Sequence, residues 1–478
     1  MIAAYKMALW IFAVMLLAVG VVIQRHRLSA GAVRARTYRT LTDWSSNLWT
    51  LFLLNGLLVG LLIYLLTGDK ATGAGYAGFM LRFGPDTDSW QIISSAVEQL
   101  RMAPDMPLYT KLFFAEHIKF QYPPSSLVPF DLLQRLTGAS WGTVYRLCDA
   151  LSWFCVLLTG VISWWLLVES HRMTTGGQIG GESRRAVLIG MLSGVALAMT
   201  FYPLNKSYAL GQVQTMMTFF GGLALLLWQR GRAAAAGILI GLCCAIKPQW
   251  GAIIVWGILR RQWHVVIAST LTLLAITLIA VQMYGLRHYI DYLPVLSFLS
   301  MHGEAYYPNQ SINGLMNRLL FNGNNLHFEE NSFPPYNPVV YISSVLFAML
   351  IVGTALLYKM RQKPTVIDLA LVMLTLTMAS PIAWEHHYGI LLPIFGLLAP
   401  IWLSKRPAAT PVVAYLLFAY FLTSQHFGFI NRLANTQLNI FQSHLLFGAA
   451  MVLLMLYRTR QWMPARWGSR RAPAHSNP

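Results

Sequence analysis

Long apolar segments separated by short polar ones fill almost the whole chain, and most of the apolar segments contain no charged residue. A helix needs about 20 such residues to cross the hydrocarbon core of a bilayer, so each uncharged segment predicts a membrane helix. The predicted helices lie at 7–23, 47–67, 150–168, 186–204, 210–229, 265–285, 339–358, 366–384, 388–404, 408–425 and 440–457.

Two shorter apolar segments, 233–246 and 249–259, lie between Arg232 and Arg260 and meet at Lys247-Pro248. A single crossing here would put Arg232 and Arg260 on opposite sides and would invert every later basic loop. Two short passes keep the basic loops on one face, with a shallow hairpin as the alternative form of this pair. The pattern therefore predicts about 13 passes with the amino terminus outside.

Composition agrees with a polytopic α-helical membrane protein. Hydrophobic residues make up 56% of the chain and charged residues 11%, with a mean hydropathy of +0.52, whereas soluble domains carry about 25% charged residues. The four cysteines lie in or beside apolar segments and form no spaced pair, so we expect neither a disulfide framework nor a metal cluster.

The net charge of +18 is explained by orientation. With the amino terminus outside, the basic excess falls in the inner loops and the carboxy-terminal tail, as the positive-inside rule requires. No basic face is interleaved with exposed aromatic residues, so nucleic-acid binding is not expected. The predicted organisation is one transmembrane domain at 1–460, with outer insertions at about 68–149 and 286–338, and a basic, disordered cytoplasmic tail at 461–478.

Unusual polar clusters occur at seven places, and this topology puts all of them on the outer side. Polar groups at membrane depth are costly and tend to be functional, so their shared side predicts a cavity near the outer leaflet. The clusters are FGPDTDSW (83–90), KFQYPPSSLVPF (119–130), NKSYALGQVQ (205–214), AIKPQW (245–250), LRHYIDYLP (286–294), PNQSINGLMNR (308–318) and SPIAWEHHYG (380–389).

This cavity would hold two carboxylates spaced as Asp86-x-Asp88, several lone cations and two histidines. The chain has no glycine-rich phosphate loop, and the outer face has no nucleotide sugars or ATP, so an activated donor must arrive in the membrane. A lipid-linked phosphosugar fits that requirement. A carboxylate can take the proton of an acceptor hydroxyl, and a cation can stabilise the phosphate as it leaves.

Four segments together resemble the signature of glycosyltransferase family 87, in the same order. The central one is GQVQTMMTFFGGLALLLWQRGR followed by AAAAGILIGLCCAIKPQWGAIIVWGILRRQW, and the others are KFQYPPSSLVPF, NQSINGLMNRLL and SPIAWEHHYGILLPIF. The resemblance implies an all-α membrane fold of the GT-C architecture. It also implies metal-independent, inverting transfer of a sugar from a polyprenyl-phosphate donor by a catalytic aspartate in the first large outer loop.

The family pattern places its catalytic aspartate at Asp88, with Asp86 as the alternate because Asp88-Ser89-Trp90 departs from the usual motif. The competing interpretation is a solvated loop or a helix N-cap. An Asp-x-Asp pair can also clamp a divalent metal, but no further carboxylate is positioned to complete such a site. We therefore expect no metal and no cofactor.

Lys247 is expected to bind the donor phosphate, since an ammonium in lipid needs a partner, although an inner-face anchor is the alternative. Adjacent helical residues point about 100° apart, so only one of His386 and His387 is expected to contact the donor or acceptor, as a second base or a phosphate ligand, with His387 slightly favoured. The alternative is a pair of interfacial loop histidines bonded to their neighbours. Glu385 is expected to orient a histidine or to bind sugar hydroxyls.

The remaining candidates keep two interpretations each. Phosphate contacts or simple anchoring are open for Arg287, His288 and Arg318, and sugar binding or helix capping is open for Gln212, Asn309 and Gln310. Tyr122 either lines the sugar site or shapes the outer loop.

The sequence thus predicts a hexosyltransferase, with mannose the expected sugar, that works at the outer face of the cytoplasmic membrane. Its partners are expected to be a polyprenyl-phosphate sugar, a glycolipid or glycan acceptor and membrane lipids. The alternative is a non-catalytic transporter or flippase of polyprenyl-linked glycans, which should show internal pseudo-symmetry; no repeat is evident.

Overall fold

A computed structural model describes residues 41–68, 85–175, 184–405 and 410–462, with Gly75, Gly78, Met80 and Leu81 described individually. The predicted first helix at 7–23, the basic segment that follows it and residues 463–478 of the predicted tail lie outside the described residues, while residues 461 and 462 belong to the last helix, His444–Trp462.

Seventeen α-helices account for most of the described chain. They are α1 Leu41–Thr67, α2 Asp88–Met102, α3 Val128–Thr137, α4 Trp141–Thr175, α5 Arg184–Thr200, α6 Tyr202–Ala209, α7 Gln214–Gln229, α8 Ala233–Ile246, α9 Ala252–Leu259, α10 Trp263–Tyr284, α11 Arg287–His302, α12 Ile312–Leu319, α13 Pro338–Leu357, α14 Val366–Ala379, α15 Leu391–Lys405, α16 Thr410–Ser424 and α17 His444–Trp462.

The apolar segments predict these helices well, and α8 has the predicted bounds. The count of 13 passes is not confirmed. Within the described residues, five helices are long and apolar enough to cross a membrane, or six if the bent pair Val187–Thr200 and Tyr202–Ala209 counts as one span. The other apolar helices have 10–17 residues, and 14 residues rise only about 21 Å, less than the hydrocarbon core of about 30 Å.

The two long insertions contain helices of their own. The first holds α2, α3 and a π-helical turn at Thr110–Ala115, and the second holds α11 and α12. Both sides of α14 are buried, as is almost all of α15, whereas α10 and α13 leave most of their apolar surface exposed. The helices α14 and α15 therefore form the centre of the bundle, and α10 and α13 lie at its lipid-facing periphery.

Breaks in the helices create the polar turns. Pro203 is the second residue of α6, which starts shortly after α5 ends, and the two axes differ by 65°. Lys247 is extended between α8 and a 3₁₀ turn at Pro248–Gly251, because the following proline disfavours a helical conformation at that position. A second 3₁₀ turn, Glu385–Ile390, precedes α15. The second and third breaks supply Lys247 and the histidines of the candidate site, whereas its aspartate lies at the start of α2 and its glutamines lie beside the start of α7.

Candidate active site

Asp88 is the first residue of α2 and is held by Gln212, which lies just before α7. Gln212 donates from Nε2 to Oδ2 of Asp88 at 2.5 Å, and its Oε1 accepts from Ser89 Oγ at 2.9 Å. Tyr122 Oη lies 3.4 Å from the same Ser89 hydroxyl. Gln212 therefore contacts both Asp88 and Ser89, and Tyr122 contacts Ser89. The carboxylate of Asp88 is held by Gln212, which is 124 residues away in the sequence.

The backbone beside Asp88 is tied to the α6–α7 turn as well. Asp86 N donates to Ala209 O at 2.8 Å, and Asp88 N donates to Leu210 O at 3.1 Å. Gly211 makes this approach possible, since its φ is +64° and a Cβ there would lie 2.0 Å from Asp86 O. Only glycine accepts both the positive φ and the close backbone contact. In the GQVQ segment, Gly211 therefore permits the close backbone contact, and Gln212 supplies the hydrogen bond to Asp88.

The two aspartates differ in environment, although both side chains keep contact with solvent. Asp86 accepts a local hydrogen bond from Thr87 N at 2.8 Å. For Asp88, the surrounding protein withdraws water from the carboxyl group and so raises its pKa; the hydrogen bond from Gln212 opposes that rise, and the nearby charge of Asp86 adds to it. A raised pKa is what a general base working near neutral pH requires.

Lys247 contacts the same turn through a second glutamine. Its Nζ donates to Gln214 Oε1 at 2.8 Å and lies 2.8 Å from Nε2 of His387. A protonated Lys247 is a donor only, so His387 Nε2 accepts and its proton resides on Nδ1. Gln212 and Gln214, two residues apart, therefore link Asp88 to a cationic pair of Lys247 and His387.

The turn that carries the histidines is fixed to the segment before α12. Asn309 and Trp384 form an isolated antiparallel bridge. Asn309 also uses its side chain on backbone groups, donating to Glu304 O at 2.8 Å and accepting from Ala383 N at 2.9 Å. Gln310 likewise accepts from Leu445 N and Leu446 N at the start of α17. Gln310 thus caps a helix, as the capping alternative requires, whereas Asn309 binds loop backbone instead of a helix end; sugar binding stays a prediction for both residues.

Glu385 and His386 are buried behind His387. Glu385 Oε2 accepts from Tyr202 Oη at 2.8 Å, and its Oε1 lies 3.5 Å from His426 Nδ1. The rings of His386 and His387 meet edge to face at 4.8 Å, and the buried His386 Nε2 has no hydrogen-bond partner among the residues that the structure describes. Of the two histidines, His387 therefore contacts Lys247, while Glu385 anchors the turn.

Three other cationic candidates make contacts of their own. Arg318 is buried and donates to Asn309 O at 2.9 Å and to Ser443 Oγ at 2.7 Å. Arg287 pairs with Asp105 at 3.0 Å and also donates to Pro104 O, while His288 Nδ1 accepts from Leu108 N at 3.4 Å. The structure does not bring these three side chains into contact with Asp88 or Lys247, and phosphate binding by them stays a prediction.

Several residues that contact the candidate site residues were not among the residues predicted from the sequence. Ser89, Gln214, Tyr202 and His426 each contact a candidate residue, and the charge of Lys206 reaches Asp88. Gln214 and Lys206 lie in the polar cluster NKSYALGQVQ, so the sequence pattern indicated this segment, although it did not identify these two residues. His426 follows the polar residues Thr423, Ser424 and Gln425, and Tyr202 lies three residues before that cluster, but neither belongs to one of the seven polar clusters. Among the described residues, no group of three or more histidine, cysteine, aspartate or glutamate side chains is arranged to hold a metal.

Comparison with known proteins confirms the resemblance drawn from the sequence. The model of glycosyltransferase family 87 matches residues 120–381, which is more than half of the 478-residue chain. That range includes Tyr122, Gln212, Gln214 and Lys247 and excludes Asp88 and His387. No match is found among curated proteins or among solved structures. The chain belongs to glycosyltransferase family 87 and is a membrane glycosyltransferase, with a sugar donor, an acceptor and membrane lipids as its partners.

Proposed function

We propose that the protein transfers a hexose, with mannose the expected sugar, from a polyprenyl-phosphate donor to a glycolipid or glycan acceptor. The observation that carries the proposal is the pair of glutamines before and at the start of α7. Gln212 binds the carboxylate of Asp88, and Gln214 binds the ammonium group of Lys247. A base and a cation held by the same turn are the two groups that displacement of a phosphate by a hydroxyl requires.

In the proposed reaction, Asp88 removes the proton of the acceptor hydroxyl while its oxygen attacks C1 of the donor sugar. The bond between C1 and the phosphate oxygen breaks, and the electron pair leaves with the phosphate. Lys247 and His387 stabilise the negative charge that develops there. The products are the glycosylated acceptor and polyprenyl phosphate, and Asp88 later releases its proton to solvent. A single displacement inverts the configuration at C1.

The outer face of the cytoplasmic membrane is the proposed location. The orientation is inferred from the basic residues, whose distribution favours an outer position for the Lys247 break and the two insertions. A lipid-borne donor suits that location because its tail lies against apolar helices while its phosphate reaches the headgroup level. Asp86 remains the alternate base, since it is two residues from Asp88 and also exposed.

The test is transfer by the purified protein in lipid nanodiscs, without ATP or a proton gradient. The donors are short polyprenyl-phosphate mannose, glucose and arabinose, and GDP-mannose serves as the control donor. Octyl α-mannoside and octyl α-dimannoside are the acceptors, and NMR gives the configuration of the product. We expect transfer from the mannosyl lipid with inversion and with full activity in EDTA. Transfer from GDP-mannose alone, or retention at C1, would overturn the proposal.

A further inference from the structure

Three aromatic side chains form a closed group in the outer region, beside the turn that carries His387. The ring centroids of Tyr306 and Phe328 are 5.9 Å apart, those of Phe328 and Trp384 5.8 Å, and those of Tyr306 and Trp384 6.3 Å. We call these three residues the aromatic triangle. Phe328 is 43% exposed, and Tyr306 and Trp384 are partly exposed, so the triangle presents aromatic surface to the outside.

The triangle is rigidly joined to the candidate site. Trp384 forms the bridge to Asn309, and Glu385 N donates to Pro308 O at 2.9 Å. Tyr307 N donates to Asn325 O at 2.9 Å, which ties the loop that carries Phe328 to the same segment. Trp384 therefore lies three residues from His387 and is held in position by main-chain hydrogen bonds.

The charged groups around the triangle differ in their exposure: the lysine is paired with a buried glutamate, whereas two glutamates are exposed. Lys119 lies 4.3 Å from the ring centroid of Phe328 and is paired with the buried Glu304 at 3.1 Å, so this cation is already neutralised. Glu329 and Glu330, which follow Phe328, are exposed. The charge of Glu330 reaches Asp88 and contributes to its raised pKa, behind the larger effects of desolvation and of Asp86. The loop that bears Phe328 lies beside the turn that carries His387, because the rings of Phe328 and Trp384 are in contact.

An exposed aromatic surface next to two carboxylates is complementary to the surface of a sugar ring. The C–H face of a hexose ring is apolar and packs against aromatic faces, while its hydroxyl groups donate hydrogen bonds to carboxylates. A lipid tail is a poorer fit, because two ionised side chains directly after Phe328 would enter the hydrocarbon with it. Aromatic walls with a few placed polar groups are also the usual lining of small-molecule sites.

We propose that the aromatic triangle, with Glu329 and Glu330, is the acceptor subsite, and that it binds a sugar ring of the glycan that Asp88 deprotonates. The inference rests on the proposed function, because it uses Asp88 as the base for the acceptor hydroxyl. It adds the part of the substrate that this surface recognises: a carbohydrate ring one or more residues from the reacting hydroxyl, held by its face.

The first experiment measures steady-state kinetics with octyl α-dimannoside as the acceptor. Phe328→Ala is expected to raise the acceptor KM about fivefold to tenfold, the size expected when one aromatic stacking interaction is removed, with the donor KM unchanged. Phe328→Leu should behave like Phe328→Ala, and Phe328→Tyr should retain the wild-type KM. Phe441→Ala is the matched control, because Phe441 is a phenylalanine of similar exposure, 51%, outside the triangle. Wild-type acceptor KM in Phe328→Ala or in Phe328→Leu would overturn the subsite.

The second experiment needs no donor and separates the subsite from the reaction. Saturation-transfer NMR on the wild-type protein with octyl α-dimannoside should show stronger transfer to sugar ring protons than to the octyl chain, and Phe328→Ala should remove that difference. Equal transfer to ring and chain in the wild type would overturn the subsite. If Phe328→Ala removes the difference but no polyprenyl-phosphate donor gives turnover, only the proposed function is overturned. Turnover with an unchanged acceptor KM in Phe328→Ala overturns only the subsite.

Discussion

Gln212 donates a hydrogen bond to Asp88, and the 2.5 Å contact joins the first long insertion to the start of α7. The same turn reaches Lys247 through Gln214 at 2.8 Å. Because both glutamines are on one short segment, a movement of that segment changes the position of the base and of the cation together. The two hydrogen bonds can still be removed one at a time, which makes their contributions separable.

Removing the hydrogen bond from Gln212 should move the pH profile. This bond lowers the pKa of Asp88 against the larger effect of desolvation, so Gln212→Leu should raise that pKa further. Asp88 acts as a base when ionised, and transfer is therefore lost as pH falls through its pKa. The acidic limb of kcat/KM should shift to higher pH in Gln212→Leu and stay in place in Gln214→Leu. If the acidic limb of kcat/KM does not shift in Gln212→Leu, Asp88 is not the base whose titration controls the rate.

Asp88→Asn should abolish transfer while leaving the protein folded. Losing a general base costs about 10²–10⁴ in rate. Because the pKa of Asp88 is raised in the folded protein, its contribution to stability is full below the unfolded pKa and is lost as pH rises through the folded pKa. At pH 7 the neutral asparagine should therefore not lower the thermal midpoint. Asp86→Asn is the control and should keep most of the activity; the reverse result would identify Asp86 as the base.

The apolar pattern predicted most helices because hydropathy and the absence of charged residues are local properties of each segment. It could not fix the number of passes, since α8, α14 and α16 are apolar for a different reason: they are short and packed among other helices. Lys247 and the GQVQ segment stood out because polar groups are rare in such surroundings. The buried role of Arg318 could not be predicted, because its partners Asn309 and Ser443 are brought together only by the tertiary fold.

Gly211→Ala should disrupt the position of Asp88 without touching its side chain. The φ of +64° and the 2.0 Å approach to Asp86 O leave no space for a methyl group, so the two backbone segments must separate. Backbone strain of this kind costs about 1–3 kcal/mol. We expect a lower thermal midpoint and at least a tenfold lower kcat. Gly353→Ala is the matched control, since nothing lies within 4 Å of its added Cβ; equal behaviour of the two variants would contradict this account.

Lys247→Met should act mainly on the donor. If Lys247 and His387 hold the donor phosphate, either Lys247→Met or His387→Ala should weaken the same cationic pair, whose nitrogens are 2.8 Å apart. Each single change should lower kcat/KM for the lipid donor at least tenfold, and the double variant should lose less than the product of the two. His386→Ala is the comparison, because the buried Nε2 atom of His386 has no hydrogen-bond partner in the described part of the chain. Multiplicative losses for Lys247 and His387 would show that they act independently.

Arg318→Met should show whether Arg318 binds the donor phosphate or only anchors the surrounding structure. Its guanidinium holds Asn309 O and Ser443 Oγ inside the protein, and burial lowers its pKa to about 9. Removing it leaves buried acceptors unpaired, at a cost of roughly 1–3 kcal/mol for each group. We expect a clearly lower thermal midpoint with an unchanged donor KM for the folded fraction. Arg287→Met, which changes an exposed arginine paired with Asp105, should leave both quantities near wild type. A tenfold rise in donor KM for Arg318→Met, with its thermal midpoint intact, would return Arg318 to the phosphate site.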